Sequence, residues 1–168
     1  MHKAFIGLGS NLSGESEGQY RDPKTQIKYA LKKMDEHSKI NVLKVSNFYQ
    51  TPAIGPGDQP DYINAAAKIE TDLEVYELLE NLQLIEDQQG RTRTQRWGAR
   101  TLDLDLLIYD QLIENTQKLT LPHPRAHQRA FVLAPLADLD TDLIIQGHGK
   151  VLDLLSDCSM QGIVKLTN

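Results

Sequence analysis

Two aspartates, Asp103 and Asp105, stand two residues apart in the run Leu102-Asp103-Leu104-Asp105-Leu106. Side chains two apart on a strand share a face and stand about 7 Å apart along it, so these carboxylates can flank a hard cation. Mg²⁺ prefers oxygen ligands of this kind. The same alternation also describes a solvent-facing strand whose outer face is acidic, and alternation alone does not separate the two. The preceding segment shifts the balance. Arg91, Arg93, Arg96 and Arg100 fall within ten residues that contain no acid, in a chain that is acidic overall. Guanidinium groups bind phosphate oxygens through paired, charge-assisted hydrogen bonds. Arginines delivered onto a strand bearing two aspartates need an anion between them and the cation, and a polyphosphate with Mg²⁺ fits; a solubilising surface loop is the plainer alternative. Trp97-Gly98 lies inside this loop, where a lone tryptophan either caps a site as the loop closes or packs on the surface.

A second constellation is Thr120-Leu121-Pro122-His123-Pro124-Arg125-Ala126-His127, followed by Arg129 and Phe131. His123 and His127 are four apart, the spacing of some zinc sites, but Pro124 intervenes, no HExxH-type glutamate accompanies them, and the arginines repel a cation. Imidazole and guanidinium groups at a helix start suit phosphate better; a plain capped surface helix is the alternative. The third is Thr51-Pro52-Ala53-Ile54-Gly55-Pro56, followed by Asp61-Tyr62-Ile63-Asn64. A proline-stiffened loop costs less entropy to hold around a ligand. Tyr62 and Asn64 share a strand face, and an aromatic ring beside an amide can stack on a heterocycle and read its edge. An exposed polar face would look the same.

The elements that must position these groups follow from periodicity. Ala4 to Leu8 reads as a buried first strand, then a polar, Gly-rich loop from Gly9 to Arg21. Asp22-Pro23 reads as an N-cap with proline in the first turn, opening a helix to about His37 on Ile27, Ala30, Leu31 and Met34. Ile40 to Gln50 is β-rich, and Tyr62 to Glu70 is a strand with Ile63, Ala65, Ala67 and Ile69 on one face. Thr71 and Glu74 suggest a capping box for a helix carrying Val75, Leu78, Leu79, Leu82 and Ile85. A loop from Gly90 to Arg100 leads to a strand from Leu102 to Tyr109, with Leu102, Leu104, Leu106 and Ile108 on one face. A helix from about Arg125 to Ala134 should stop near Pro135, and the remainder reads as short mixed elements. Helices mixed with strands that directly follow one another favour α+β over a doubly wound parallel sheet.

The bulk numbers set outer limits. At 168 residues the chain suits a single domain spanning 1–168, and its 40% hydrophobic content supports a globular core. A net charge of -5 disfavours a protein that coats duplex nucleic acid or an acidic membrane. Cys158 is the sole cysteine, so an intramolecular disulfide and a cysteine-rich zinc site are both excluded. The short apolar run before Ser10-Asn11 does not read as a signal peptide, and no stretch approaches a membrane span, so the expected location is the cytoplasm. Gly7-Leu8-Gly9-Ser10-Asn11-Leu12 approximates a dinucleotide fingerprint, but Leu12 replaces the third glycine and a long loop precedes the helix, so that geometry fails.

Taken together, FIGLGSN near the start, TPAIGPGDQPDYINAA from Thr51, QQGRTRTQRWGARTLDLDLL from Gln88 and LPHPRAHQRAFVLAPL from Leu121 resemble the 6-hydroxymethyl-7,8-dihydropterin pyrophosphokinases. The four stretches run in the family's order and span most of the chain. The resemblance implies a monomeric, three-layer αβα protein with a ferredoxin-like, mainly antiparallel sheet core. It also implies an enzyme that binds ATP with two Mg²⁺ ions, then a reduced pterin alcohol, and moves pyrophosphate between them in folate biosynthesis, releasing AMP. It assigns Asp103 and Asp105 to Mg²⁺, and Gln83, Glu86, Arg91, Arg100, Thr120, His123 and Arg129 to ATP. Thr51, Pro52, Ile54, Tyr62, Asn64, Trp97 and Phe131 fall to the pterin, with Tyr62 and Phe131 stacking on its two faces. Arg91, Arg100, Trp97 and Asp105 are the expected catalytic set. Two other classes share parts of this pattern. A different Mg²⁺ phosphotransferase or nucleotidyltransferase would use the aspartates and arginines with another acceptor. An RNA-binding module could use ferredoxin-like layers, though the acidic charge and the lack of an RNP-type aromatic pattern argue against it.

Overall fold

The computed structural model of the chain describes residues 1–11, 14–16, 19–52, 60–89 and 102–166, with the backbone alone described at 14–16 and 19–21. In chain order the elements are β1 (His2–Ser10), β2 (Gly14–Ser16), β3 (Gln19–Arg21), α1 (Pro23–Glu36), β4 (Ile40–Val45), β5 (Tyr49–Thr51) and β6 (Tyr62–Thr71). Then come α2 (Val75–Gln88), β7 (Asp103–Tyr109), β8 (Glu114–Asn115), β9 (Thr120–Leu121), a 3₁₀ turn (Ala126–Gln128) and α3 (Ala130–Leu139). The chain ends with β10 (Ile144–Ile145), β11 (Gly149–Lys150), α4 (Val151–Ser156) and β12 (Val164–Lys165).

The main sheet has the order β12-β5-β6-β1-β7, with β4 also pairing β6, and the pairings described are antiparallel. Alternation along β1 and β6 sorts side chains to two faces. Ala4, Ile6, Leu8, Ala65, Ala67 and Ile69 meet the stripes of α1 (Ile27, Ala30, Met34) and α2 (Leu78, Leu82, Ile85) in one buried core. Phe5 and Ala66 meet Leu133, Leu136 and Leu139 of α3 and Val151 of α4 in a second. The result is a three-layer αβα sandwich with a ferredoxin-like α+β sheet at its centre.

Four expectations shift. The segment from Gly9 to Arg21 is not all loop: β1 runs on to Ser10, and β2 pairs with β3 as a small antiparallel hairpin before α1. α1 itself starts as expected, with Asp22 Oδ1 accepting from the Thr25 N–H at 2.8 Å. The cap of α2 lies a turn later than Thr71. Glu74 is the N-cap and its N–H donates to Glu77 Oε1 at 3.1 Å, whereas Thr71 ends β6 and its hydroxyl donates to Lys39 O. The region around Arg125 splits into the 3₁₀ turn and α3, and α3 passes straight through Pro135. Proline removes one i→i−4 bond, but Leu133, Leu136 and Leu139 bury against the sheet on both sides of it, and packing outweighs that local cost.

The fourth concerns β7. Leu104 and Leu106 face the first core as expected, but the register with β1 skips Leu107, pairing Ile6 with Leu106 and Phe5 with Ile108. This β-bulge turns Ile108 to the second core, with Leu107, and Tyr109 to the first.

Candidate functional site

The two aspartates of β7 lie opposite glycines of β1, Asp103 pairing with Gly9 and Asp105 with Gly7. Both pairs face away from the first core, where Leu104 and Leu106 are buried. With no side chains, the glycines leave open floor between β7 and β6. A Cβ at Gly9 would stand 2.9 Å from Asn64 Oδ1, so only glycine lets the Asn64 amide lie across the strand this closely.

Two cavities meet at the aspartates, and the glycine floor belongs to the first. The first, about 240 Å³, is walled by Thr51, Pro52, Tyr62 and Asn64 on one side and by Arg125, Arg129 and Phe131 on the other, with Asp103, Asp105 and His123 between. The second, about 310 Å³, runs along α2 and the β8–β9 hairpin, where Gln83, Glu86, Lys118 and Thr120 line it. Asp103, Asp105 and His123 border both cavities. The acidic pair thus stands on the shared wall between a chamber holding two aromatic rings and a polar one.

Local contacts fix these groups. Asn64 Nδ2 donates to Thr51 Oγ1 at 2.8 Å, binding β6 to β5 at the chamber wall. Asn11, at the end of β1, donates from Nδ2 to Pro60 O at 3.1 Å. The Arg129 guanidinium lies 5.4 Å from the Phe131 ring centre, within cation–π range. Glu86 is 3% exposed and its Oε2 accepts from the Leu104 N–H at 2.7 Å, so α2 grips the backbone between the two aspartates. His123 is anchored through its own N–H to Leu107 O at 3.0 Å, and its Nδ1 accepts from the Arg125 N–H at 3.3 Å. Burial, then the Arg129 charge, hold the His123 imidazole below its ordinary pKa, with Asp103 opposing. At neutral pH the ring is therefore uncharged, and acceptance at Nδ1 places its proton on Nε2 as a neutral donor.

Every expected site residue among the described ones lines one of the two cavities: Thr51, Pro52, Tyr62, Asn64, Arg129 and Phe131 the first, Gln83, Glu86 and Thr120 the second, Asp103, Asp105 and His123 both. Arg129, expected with the nucleotide, stands beside Phe131 in the first. Ile54, Arg91, Trp97 and Arg100 lie outside the described residues. Sequence reasoning passed over Lys118, and it noted Arg125 within the second constellation without assigning it a ligand. Lys118 sits in the turn between β8 and β9, two residues before Thr120, and its relevance emerges only once that hairpin is placed against β7.

The donor set bears on the metal. Among the described residues no cluster of three His, Cys, Asp or Glu side chains gathers, so a closed zinc cage is not built here. Two carboxylates on one strand face at the mouth of both cavities suit Mg²⁺, which keeps several waters and takes other ligands from phosphate oxygens. The residues present fit that ion.

Residues 5–141 match the family model described as 7,8-dihydro-6-hydroxymethylpterin-pyrophosphokinase (HPPK). A 2-amino-4-hydroxy-6-hydroxymethyldihydropteridine pyrophosphokinase of Haemophilus influenzae is 42% identical over 166 residues, 99% of each chain. Its counterpart in Pseudomonas aeruginosa is 38% identical over 99% of this chain and 98% of that one. The Bacillus subtilis enzyme of the same name is 43% identical over 81% of this chain and 77% of its own. Among solved structures, an HPPK-DHPS in complex with substrates superposes with a TM-score of 0.68 at 10% identity, over 93% of this chain. A Plasmodium falciparum HPPK-DHPS superposes with a TM-score of 0.66 at 12% identity, over 92% of it. This chain spans 45% of each of those longer chains, and the likeness to them concerns the fold.

Proposed function

The chain belongs to the 7,8-dihydro-6-hydroxymethylpterin-pyrophosphokinase family and transfers pyrophosphate from ATP to the hydroxymethyl group of 6-hydroxymethyl-7,8-dihydropterin in folate biosynthesis, and from that premise we propose how its residues divide the work. The first cavity takes the pterin between Tyr62 and Phe131, with Asn64 and Thr51 reading the edge of the heterocycle and Pro52 and Ile54 closing its side. The second takes ATP, with Gln83 and Thr120 toward the nucleoside and Lys118 toward its charge. The observation that carries this reading is the shared wall: Asp103, Asp105 and His123 border both chambers, where the phosphate passed from one substrate to the other must lie.

The hydroxymethyl oxygen attacks the β-phosphorus of ATP, the bond from that phosphorus to the oxygen bridging to the α-phosphate breaks, and AMP leaves with that oxygen while the hydroxyl gives up its proton to solvent. Asp103 and Asp105 would hold two Mg²⁺ ions. Those ions, when bound, supply charge neutralisation on the phosphate oxygens. Asp105 also orients the attacking hydroxyl. His123 donates a neutral N–H to a phosphate oxygen, while Arg129, Arg91 and Arg100 offset the charge that builds as the bridging bond breaks. Trp97 is assigned to the pterin on the same premise. Positioning and electrostatics carry the reaction, with little acid–base chemistry required.

We place the enzyme in the cytoplasm as a monomer acting on small molecules, without nucleic acid. Its net charge of -5 accords with the last of these; among the described residues no helix is long and apolar enough to cross a membrane.

The test separates the chambers. Phe131→Ala should raise the KM for the pterin by about tenfold or more, in line with the stacking lost, and leave the KM for ATP nearly unchanged; Gln83→Ala should do the reverse. AMP formation that does not depend on the pterin, or a Phe131→Ala effect confined to ATP, would overturn the assignment.

A further inference from the structure

Pro52, which lines the aromatic chamber, is touched from outside it by the C-terminal segment. Residues Met160 to Ile163 form a tight turn in which the Ile163 N–H donates to Met160 O at 3.0 Å. Gly162, the third residue of that turn, has φ of +81°, the pattern of a type II turn, which favours glycine at this position. A Cβ on Gly162 would stand 3.0 Å from Cγ and 3.3 Å from Cδ of Pro52. Gly162 itself does not line the chamber.

The turn is held on both sides. Before it, the Cys158 N–H donates to Leu155 O at 3.0 Å at the end of α4, whose Val151 is fully buried. After it, β12 pairs with β5, setting Val164 against Gln50 and Lys165 against Tyr49, and the Leu166 N–H donates to Phe48 O at 2.8 Å. Leu166 packs on the first core. Pro52 directly follows the β5 strand that this segment pairs with, and its ring is stiff, so added bulk at 162 cannot be absorbed by rotating a flexible side chain.

We propose that Gly162 is a positioning residue for pterin recognition: the turn at 160–163 backs the Pro52 wall, and the missing Cβ sets how far that ring stands from the bound heterocycle. This rests on the assignment of the first cavity to the pterin. A substituent at 162 forces Pro52 over by a few tenths of an ångström, moving a wall of the pterin chamber while the nucleotide chamber, on the far side of β7, is untouched.

The experiment titrates the reduced pterin alcohol, with Mg²⁺ and a nonhydrolysable ATP analogue present, into the wild type, Gly162→Ala, Gly162→Asn and Phe131→Ala, and separately measures KM for both substrates in turnover with ATP. Asn tolerates positive φ better than Ala, so it isolates the steric effect from backbone strain. Both Gly162 variants should weaken pterin binding by about threefold to tenfold, a misplacement effect, and leave the ATP KM within about twofold of wild type. A partly unfolded preparation lowers the binding stoichiometry and not the affinity, so the readout survives lost stability. Unchanged pterin affinity in Gly162→Asn, or equal losses for both substrates, would overturn the inference. If Phe131→Ala also leaves pterin affinity unchanged, the cavity assignment fails; if Phe131→Ala weakens it and Gly162→Asn does not, only the role of Gly162 falls.

Discussion

Asp103 and Asp105 differ from an ordinary acidic strand face in what lies around them: glycines opposite, an uncharged imidazole beside them and a cavity on either side. Replacing either by Asn keeps the shape and removes the charge. Each variant should lose turnover by about 10²–10³ or more, the scale of a lost preorganised electrostatic partner, without a lower melting temperature; AMP release and thermal denaturation check the two halves. Glu86 behaves differently. Its buried carboxylate serves the Leu104 N–H, so Glu86→Ala should destabilise the fold by about 1–3 kcal/mol through an unmet buried donor. Glu86→Gln retains an acceptor and should cost less in a urea titration. The aspartate pair was legible in the sequence because strand alternation and the neighbouring arginines both point to it. The grip of Glu86 on Leu104 was not, because nothing local links positions 86 and 104.

Periodicity revealed α1 and α2 because their apolar stripes are long and their entry signals are local: Asp22 caps α1, and proline follows it. Position 26 of α1 breaks that stripe. Gln26 is fully buried, and neither of its amide atoms has a hydrogen-bond partner among the described residues. Since such a group costs about 1–3 kcal/mol, Gln26→Leu should raise the melting temperature by roughly 2–4 °C per kcal/mol recovered. A decrease on thermal denaturation would mean that an internal water serves the amide. The 3₁₀ turn between His123 and Arg129 has its own weak point. His127 stacks on His148, from the turn joining β10 and β11, with ring centres 3.6 Å apart. Burial and the His148 charge hold the His127 pKa below its ordinary value. A depressed folded pKa means that, below about pH 6.5, the unfolded chain takes up a proton the folded one resists, so stability falls as pH drops through that range. His127→Gln should make the fall in melting temperature from about pH 7 to about pH 5.5 shallower. His123, also shifted down, keeps some of the slope in place. The path of α3 through Pro135 was not legible, because proline reads locally as a stop and only the second core explains why the helix continues.

At the scale of the molecule, two cavities share one wall. A ligand on one side that draws Asp103, Asp105 and His123 into place should prepare that wall for the other. Mg²⁺ with a nonhydrolysable ATP analogue is therefore expected to tighten pterin binding, and by linkage the pterin must tighten nucleotide binding by the same factor. Calorimetric titrations in both orders measure the two factors, and a factor near one would mean the wall is already set. The layer architecture was legible from alternation and from strands that follow one another directly. The second phase of β7 was not, because a bulge depends on the partner strand. Asp103, Asp105 and Leu107 face the first cavity in one phase of β7, and past the extra residue Leu107 the phase changes, so that Ile108 packs in the second core and Tyr109 in the first. Deleting that one residue would leave Ile6 paired with Leu106 and Phe5 with Ile108 in unbroken alternation, so both halves would keep their faces while the strand lost the added twist of the bulge and the Leu107 carbonyl that accepts from the His123 N–H. The extra residue thus works as a bracket and not as a phase-setter: its removal should spare the aspartates' facing and fall on the anchor of His123.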